Sequence, residues 1–206
     1  MRLVRERGLL YTTTGLLAAA VVWLGLVVSA DVGDTTRVSV NSDGTEGNSD
    51  SIRPSVSADG GFVAFASDSS NLVEGDSNGS SDVFVHDMDS GVTSRVSVDS
   101  DGTEGNSHSI RPSVSADGGF VAFDSDASNL VAGDGNGSSD VFVHDVDSGE
   151  TVRVSVSSDG TEGNSDSVAP SVSADGGFVA FESFASNLVG GDGNGSPDVF
   201  VHDMDS

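Results

Sequence analysis

An acidic loop that carries oxygen ligands recurs three times in this sequence. Its copies read GDSNGSSD, GDGNGSSD and GDGNGSPD, and they begin at Gly75, Gly133 and Gly191. In each copy an Asp, an Asn and a second Asp surround a tight turn, and calcium prefers oxygen donors of this kind. The pattern therefore predicts three calcium sites, although it lacks the late glutamate of an EF-hand. The candidate ligands are Asp76, Asn78, Asp82, Asp134, Asn136, Asp140, Asp192, Asn194 and Asp198.

The alternative interpretation of these loops needs no metal. Asn-Gly and Asp form turns by themselves, and the aspartates also add surface charge. A second acidic loop, SDGTEGNS, recurs at 42–49, 100–107 and 158–165. Its first copy offers Asp43, Glu46 and Asn48, and we interpret it as a solvated acidic turn.

Residues that could carry catalysis are few. The sequence has no Cys, all its basic residues are Arg, and no G-x-S-x-G nucleophile motif occurs. His86, His144 and His202 each follow VFV, so we expect them to be packed or hydrogen-bonded on strands. His108 has no counterpart in the other copies and is predicted to lie on the surface. Enzymatic activity is therefore the less favoured interpretation.

The charge of the chain limits its partners. The formal net charge is −25, with 33 acidic and 8 basic residues. A field of this sign repels nucleic acids and anionic membranes, so neither is expected as a partner. The acidic residues alternate with regular Val and Phe, which argues against a disordered acidic tail. High negative charge of this kind is typical of proteins that work in concentrated salt.

The N-terminal 30 residues resemble a targeting segment. Arg2, Arg5 and Arg7 precede an apolar run, and Ala30 closes a short stretch of small residues. This pattern predicts a signal peptide at 1–30, with a membrane anchor as the alternative. Either interpretation places residues 31–206 outside the cytoplasm, secreted or attached to the cell surface.

The elements that position these motifs follow from a repeat of 58 residues. RVSV begins at Arg37, Arg95 and Arg153, which defines repeats at 37–94, 95–152 and 153–206. A fixed period of this size is typical of solenoids and propellers. In the second repeat, alternating apolar residues predict four short strands at 111–116, 120–125, 140–145 and 150–156. An Asp-Gly pair between the first two predicts a hairpin.

Four antiparallel strands per repeat are the plan of a propeller blade. We therefore predict an all-β array of three four-stranded blades. A strand at 35–40 precedes the first blade and could complete the last one. Three blades are fewer than propellers usually have, so a homodimer or a longer array is expected to cover the exposed sheet faces.

The repeat also resembles a known family. The run PSVSADGGFVAF, followed by DVFVHD and RVSV, is similar to TolB-like (WD-like) β-propeller repeats. Its P-S-x-S-x-D-G element occurs at 54–60, 112–118 and 170–176. The resemblance implies six-bladed propellers that serve as binding platforms or as non-catalytic domains attached to enzymes.

Together these features predict a secreted or surface-anchored, non-enzymatic binding or structural module that calcium stabilises. Its ligand would be a protein or a glycan, and a membrane would be contacted only through an uncleaved N-terminal segment. The alternative function is a truncated or oligomer-dependent propeller with hydrolase or lyase activity.

Overall fold

The computed structural model describes residues 33–205, and this part of the chain contains strands and turns only. The residues from Thr36 onward form one compact unit. The predicted signal peptide lies outside the described residues and stays a prediction. Within the described range, no helix is long and apolar enough to cross a membrane.

Between residues 33 and 205, eleven strands form three antiparallel sheets, one for each repeat. The first sheet contains β1 (Ser51–Val56), β2 (Phe62–Ser67), β3 (Asp82–Asp87) and β4 (Thr93–Arg95). The second contains β5 (Ser109–Val114), β6 (Phe120–Ser125), β7 (Asp140–Asp145) and β8 (Thr151–Arg153). The third contains β9 (Ser167–Val172), β10 (Phe178–Ser183) and β11 (Asp198–Asp203). The predicted all-β, blade-like architecture is confirmed.

The predicted hairpin between the first two strands of each repeat is also confirmed. Ser115 Oγ donates to Asp117 Oδ1, and the Gly119 N–H donates to the same oxygen. Gly118, between them, has a φ of 81°, a conformation that glycine adopts without steric cost. The Asp-Gly pair therefore forms the tight turn that aligns β5 with β6.

Two strand boundaries were predicted wrongly. The first strand of the second repeat begins two residues earlier than expected and ends at Val114, because Ala116 leaves the hairpin to donate its N–H to the carbonyl of Ala174. The fourth strand was expected at 150–156 but covers only Thr151–Arg153. Beyond it, Val156 forms an isolated bridge with Glu162 in the following loop.

The strand expected at 35–40 is likewise wrong. Val40 forms only an isolated bridge with Glu46. Val38 packs against Phe65 and Phe84 of the first sheet, so this segment covers that sheet. The third sheet has three strands within the described residues, and β11 lies at its edge.

Each sheet has two chemically different faces. On the second sheet, Phe123 lies opposite Phe142 in the strand register, and their rings stack with centroids 5.9 Å apart. We call this side the phenylalanine face. Val141 and Val143 point to the other side, which we call the valine face, because successive side chains on a strand alternate.

The sheets stack with unlike faces in contact. Val83 and Val85 on the valine face of the first sheet share a core with Phe123 and Phe142 of the second. The valine face of the second sheet meets the phenylalanine face of the third in the same way. We call each such contact a junction. The repeat therefore buries its apolar residues only by stacking on the next repeat.

Candidate functional site

The acidic loop predicted to bind calcium connects β2 with β3, and Asn78 organises its turn. The Asn78 side-chain oxygen accepts a hydrogen bond from the Ser80 N–H at 2.7 Å. Its amide nitrogen donates to Asp82 Oδ2 at 3.1 Å and to the Gly105 carbonyl at 2.8 Å. Every polar atom of the Asn78 side chain is therefore engaged in fixing the loop.

An arginine lies among the loop carboxylates. Arg95 ends β4, and its Nη1 lies 3.8 Å from Asp76 and 3.5 Å from Asp82. The same nitrogen also pairs with Glu104, which comes from the connection to the next sheet. Ser97 Oγ donates to the remaining Asp82 oxygen at 2.6 Å. We call these charged residues (Asp76, Asp82, Arg95 and Glu104) the arginine cluster.

The second repeat builds the same cluster from equivalent residues. Arg153 Nη1 lies 3.7 Å from Asp134, 3.5 Å from Asp140 and 2.5 Å from Glu162. Asn136 donates to Asp140 and to the Gly163 carbonyl as Asn78 does to its partners. The arrangement is thus a property of the repeat.

Burial changes the acidity of the cluster. Burial and the neighbouring Asp82 charge raise the pKa of Asp76 to about 6. Burial also raises the pKa of Asp82, against the hydrogen bond from Ser97. Burial opposes ionisation of Glu104 too, but the Ser77 donors and Arg95 hold its pKa below the usual value. The guanidinium is thus the only positive charge among three carboxyl groups.

The third copy of the loop lacks these partners. Asn194 donates to Asp198 at 3.1 Å, as in the other copies. In the part of the chain that the structure describes, however, no ion pair reaches Asp192 or Asp198. Within the described residues, this loop therefore has the two aspartates of the cluster without its arginine and its glutamate.

Only part of this cluster was predicted from the sequence. Asp76, Asn78 and Asp82 were predicted together, and the structure brings them together. The SDGTEGNS loop that carries Glu104 was predicted to be a separate solvated turn, and the arginine of RVSV was given no role. The signal was available, because the arginine and the glutamate recur with the same period as the loop.

The three loops differ in how available their oxygen atoms are to a calcium ion. Asp76, Asp82 and Glu104 offer carboxylate oxygens within 4.8 Å of one another, and so do their counterparts in the second repeat. Calcium would suit these oxygens, but the guanidinium of Arg95 already contacts all three groups. In the third loop, the described residues leave Asp192 and Asp198 open to a cation. Calcium binding by the nine residues stays a prediction.

Two of the three strand histidines, His86 and His144, are packed and hydrogen-bonded, as predicted, whereas His202 is only partly buried on the edge strand β11. His86 is buried, and its Nδ1 lies 2.8 Å from the hydroxyl of Thr93. That hydroxyl donates a hydrogen bond to the Val40 carbonyl, so it accepts a hydrogen bond from the Nδ1–H of His86. Burial lowers the pKa of His86, which favours the neutral ring over the imidazolium. His144 and Thr151 repeat the arrangement.

A second buried carboxylate connects the second and third sheets. Asp124 on β6 accepts a hydrogen bond from Arg111 at 2.8 Å and another from the Ala169 N–H at 3.1 Å. Burial raises its pKa to about 6, although Arg111 acts in the opposite direction. The first and third repeats have Ala66 and Glu182 at this position, so this contact belongs to one junction only.

Comparison with solved structures finds propellers, including TolB proteins. A TolB structure from Agrobacterium tumefaciens aligns at 22% identity and a TM-score of 0.49, over 76% of this chain and 46% of that one. TolB from Acinetobacter baumannii aligns at 19% identity and 0.44, over 76% and 30%. The β-propeller domain of the Trilobed protease from Pyrococcus furiosus aligns at 12% and 0.48, over 76% and 40%.

The chain thus spans less than half the length of each of these three proteins. The structures found include TolB proteins, whose repeats the sequence motif resembles. The sequence matches no family model and no curated protein. The fold assignment rests on the sheets themselves.

Proposed function

We propose that this chain is a non-enzymatic binding or structural module that works outside the cytoplasm. One observation carries this proposal: the charged residues that recur with the repeat are engaged in contacts between parts of the fold. Arg95, Arg153 and the acids around them join one sheet to the connection that leads to the next. Charged groups held in this way position strands and are not free to react with a substrate.

The outer surface determines which ligands the module can accept. A net charge of −25 attracts groups of positive charge and repels anions. The ligand is therefore a protein or a glycan with cationic groups. The arginine-containing N-terminal segment, which lies outside the described residues, supports delivery across the membrane.

Binding without turnover is the result that this function predicts. The purified protein would be applied to peptide and glycan arrays at sodium chloride concentrations from about 0.1 M, where charges act over about 10 Å, to about 1 M, where they act over about 3 Å. Bound molecules would then be incubated with the protein and their masses measured. Retention of a ligand with unchanged mass supports a binding module, whereas cleavage or elimination products would favour the hydrolase or lyase alternative.

We also propose that calcium stabilises the module through the third loop. Asp192 and Asp198 have the spacing of the other loops without an arginine among the described residues. A ligand present at a hundred times its dissociation constant adds about 2.7 kcal/mol to the free energy of unfolding. Extracellular calcium modules bind at roughly 0.1–1 mM, so millimolar calcium is the range to test.

The calcium test compares two ions and two variants. Melting temperatures are measured in molar sodium chloride with calcium or magnesium, because screening alone treats the two ions alike. A preference for calcium that Asp192→Asn removes supports the site. Asp205→Asn, at an exposed aspartate outside the loop, is the matched control. Equal stabilisation by both ions would contradict calcium binding.

A further inference from the structure

Both junctions between sheets use the same complementary parts. Phe62 of the first sheet lies over Gly118 of the second, so close that a Cβ built on this glycine would be 2.2 Å from the ring. Phe120 lies over Gly176 in the same way, also at 2.2 Å. A glycine on one sheet therefore receives an aromatic ring from the preceding sheet.

The third sheet exposes to solvent the valine face and the phenylalanine that, on the first two sheets, pack against the next sheet. Val199 and Val201 on its valine face are 76% and 68% exposed, whereas the equivalent Val141 and Val143 are 0% and 1% exposed. Phe178, which corresponds to Phe62, is 49% exposed. A groove of about 680 Å³ is lined by Val199 and Val201 of β11 and by the third acidic loop.

The first sheet exposes the residues that, on the second and third sheets, receive the preceding sheet. Val56 is 61% exposed, whereas its counterpart Val114 is 9% exposed beneath the first sheet. Gly60, the counterpart of Gly118, has no atom within 4 Å of a built Cβ. The receiving glycine is thus present without an aromatic ring above it.

Charged groups at the two ends are complementary as well. Arg37 and Glu46 pair at 2.5 Å and are more than half exposed, whereas Arg95 at the equivalent position is buried. Asp192 and Asp198, in turn, have no arginine in the part of the chain described. Arg37 and Glu46 are thus the residues that the third arginine cluster lacks.

We propose that the first sheet of a second copy of this chain docks on the valine face of the third sheet. The docking reproduces the apolar, steric and charged parts of the two junctions already present, apart from the fourth strand, which the third sheet lacks within the described residues. Its contacts place Phe178 over Gly60, and Val199 and Val201 against Val56. Arg37 and Glu46 lie beside Asp192 and Asp198, where the guanidinium takes the place of calcium, so calcium binds the third loop only in the undocked chain. The contact is head-to-tail, so it closes into a ring or continues as a filament according to the rotation between copies.

The first test is the mass of the purified protein by light scattering in about 1 M sodium chloride. We expect a mass above the monomer that Val199→Gln with Val201→Gln reduces to the monomer. Arg37→Gln with Val56→Gln should do the same from the other end. Val92→Gln is the control, since Val92 is exposed and the second repeat has Glu150 there. A wild-type monomer would overturn the proposal.

Mixing the two double variants tests the head-to-tail geometry. Each retains one intact half of the junction, so the mixture should form a two-chain complex although neither variant associates alone. If the Arg37/Val56 variant still associates by itself, the third sheets meet face to face and the proposal is wrong.

A cross-link tests the register without relying on loss of stability. Inside the chain, Ala116 N–H donates to the Ala174 carbonyl at 2.9 Å, and Ala58 N–H to the Ala116 carbonyl at 3.1 Å. The proposed contact places Ala174 of one copy beside Ala58 of the other. The sequence has no native Cys, so we expect Ala58→Cys mixed with Ala174→Cys to form a disulfide dimer. Either variant alone should form far less, and equal yields in all three samples would overturn the register.

Discussion

At the scale of single residues, the buried acids make stability depend on pH. Burial raises the pKa of Asp124, Asp76 and Asp134 to about 6, above the ordinary value of 3.8. The folded protein therefore holds these protons more tightly than the unfolded chain does between about pH 4 and 6. Stability from these groups grows as pH falls through 6 and is lost as pH rises through it.

Asp124 allows this effect to be measured. Asp124→Asn removes one carboxyl group that binds a proton more tightly in the folded protein than in the unfolded chain. The slope of the free energy of unfolding against pH, between pH 4 and 6, should therefore flatten by at most about 1.4 kcal/mol per pH unit. The amide oxygen can still accept from the Ala169 N–H. Denaturant unfolding at several pH values gives the slope. Asp126→Asn, at an exposed neighbour, should leave it unchanged; equal effects of the two substitutions would argue against a buried, proton-binding Asp124.

Residue chemistry was only partly predictable from the sequence. The spacing of Asp76, Asn78 and Asp82 correctly indicated a shared turn, because these residues are close along the chain. Arg95 and Glu104 were missed because their approach depends on how the chain leaves one sheet and enters the next. The sequence does not show which of its many carboxylates are buried. Burial in the structure is what distinguishes Asp82 and Asp124 from the solvated acids.

At the scale of elements, the first strand of each repeat carries a bulge. Arg53, Arg111 and Ala169 occupy equivalent positions with φ between 53° and 55°. The pairing with the next strand shifts at this point in all three sheets. A non-glycine residue in the left-handed region costs about 1–2 kcal/mol, so each bulge stores strain.

Ala169 reports this strain most simply, since its side chain is exposed. Ala169→Gly should raise the free energy of unfolding by about 0.5 kcal/mol, because relief of strain exceeds the entropy cost of glycine. Denaturant unfolding measures the difference. Ala180→Gly, on β10 where the pairing with β11 is regular, is the control and should lower stability by about 1 kcal/mol. A loss of stability at Ala169 as large as the control's would show that the bulge is unstrained.

The strands themselves were more predictable than their ends. The alternation in FVAF and DVFV and the Asp-Gly turn located the central strands, because both signals are local. The fourth strand was predicted too long, since RVSV alternates as a strand does but Val96 packs in the core between sheets. The segment at 35–40 was misassigned for the same reason: it follows the RVSV pattern, and that pattern marks a connection.

At the scale of the whole molecule, charge should make stability depend on salt. Thirty-three acidic residues repel one another, and the screening length falls from about 10 Å at 0.1 M to about 3 Å at 1 M ionic strength. We expect the melting temperature to rise steeply from dilute buffer to molar sodium chloride. The Val199→Gln/Val201→Gln variant separates this effect from association. A flat melting temperature in that variant would reject adaptation to high salt.

The arginine clusters hold the repeats in register, because each one joins a sheet to the connection that leads to the next sheet. The most direct measurement is a double-mutant cycle on Arg95→Ala and Glu104→Ala, in the Val199→Gln/Val201→Gln background, from denaturant unfolding. The buried pair should give a coupling free energy of about 1–3 kcal/mol. The exposed Arg37 and Glu46 should give about 0.2–1 kcal/mol or less. A coupling at Arg95 and Glu104 no larger than that of the exposed pair would contradict the account.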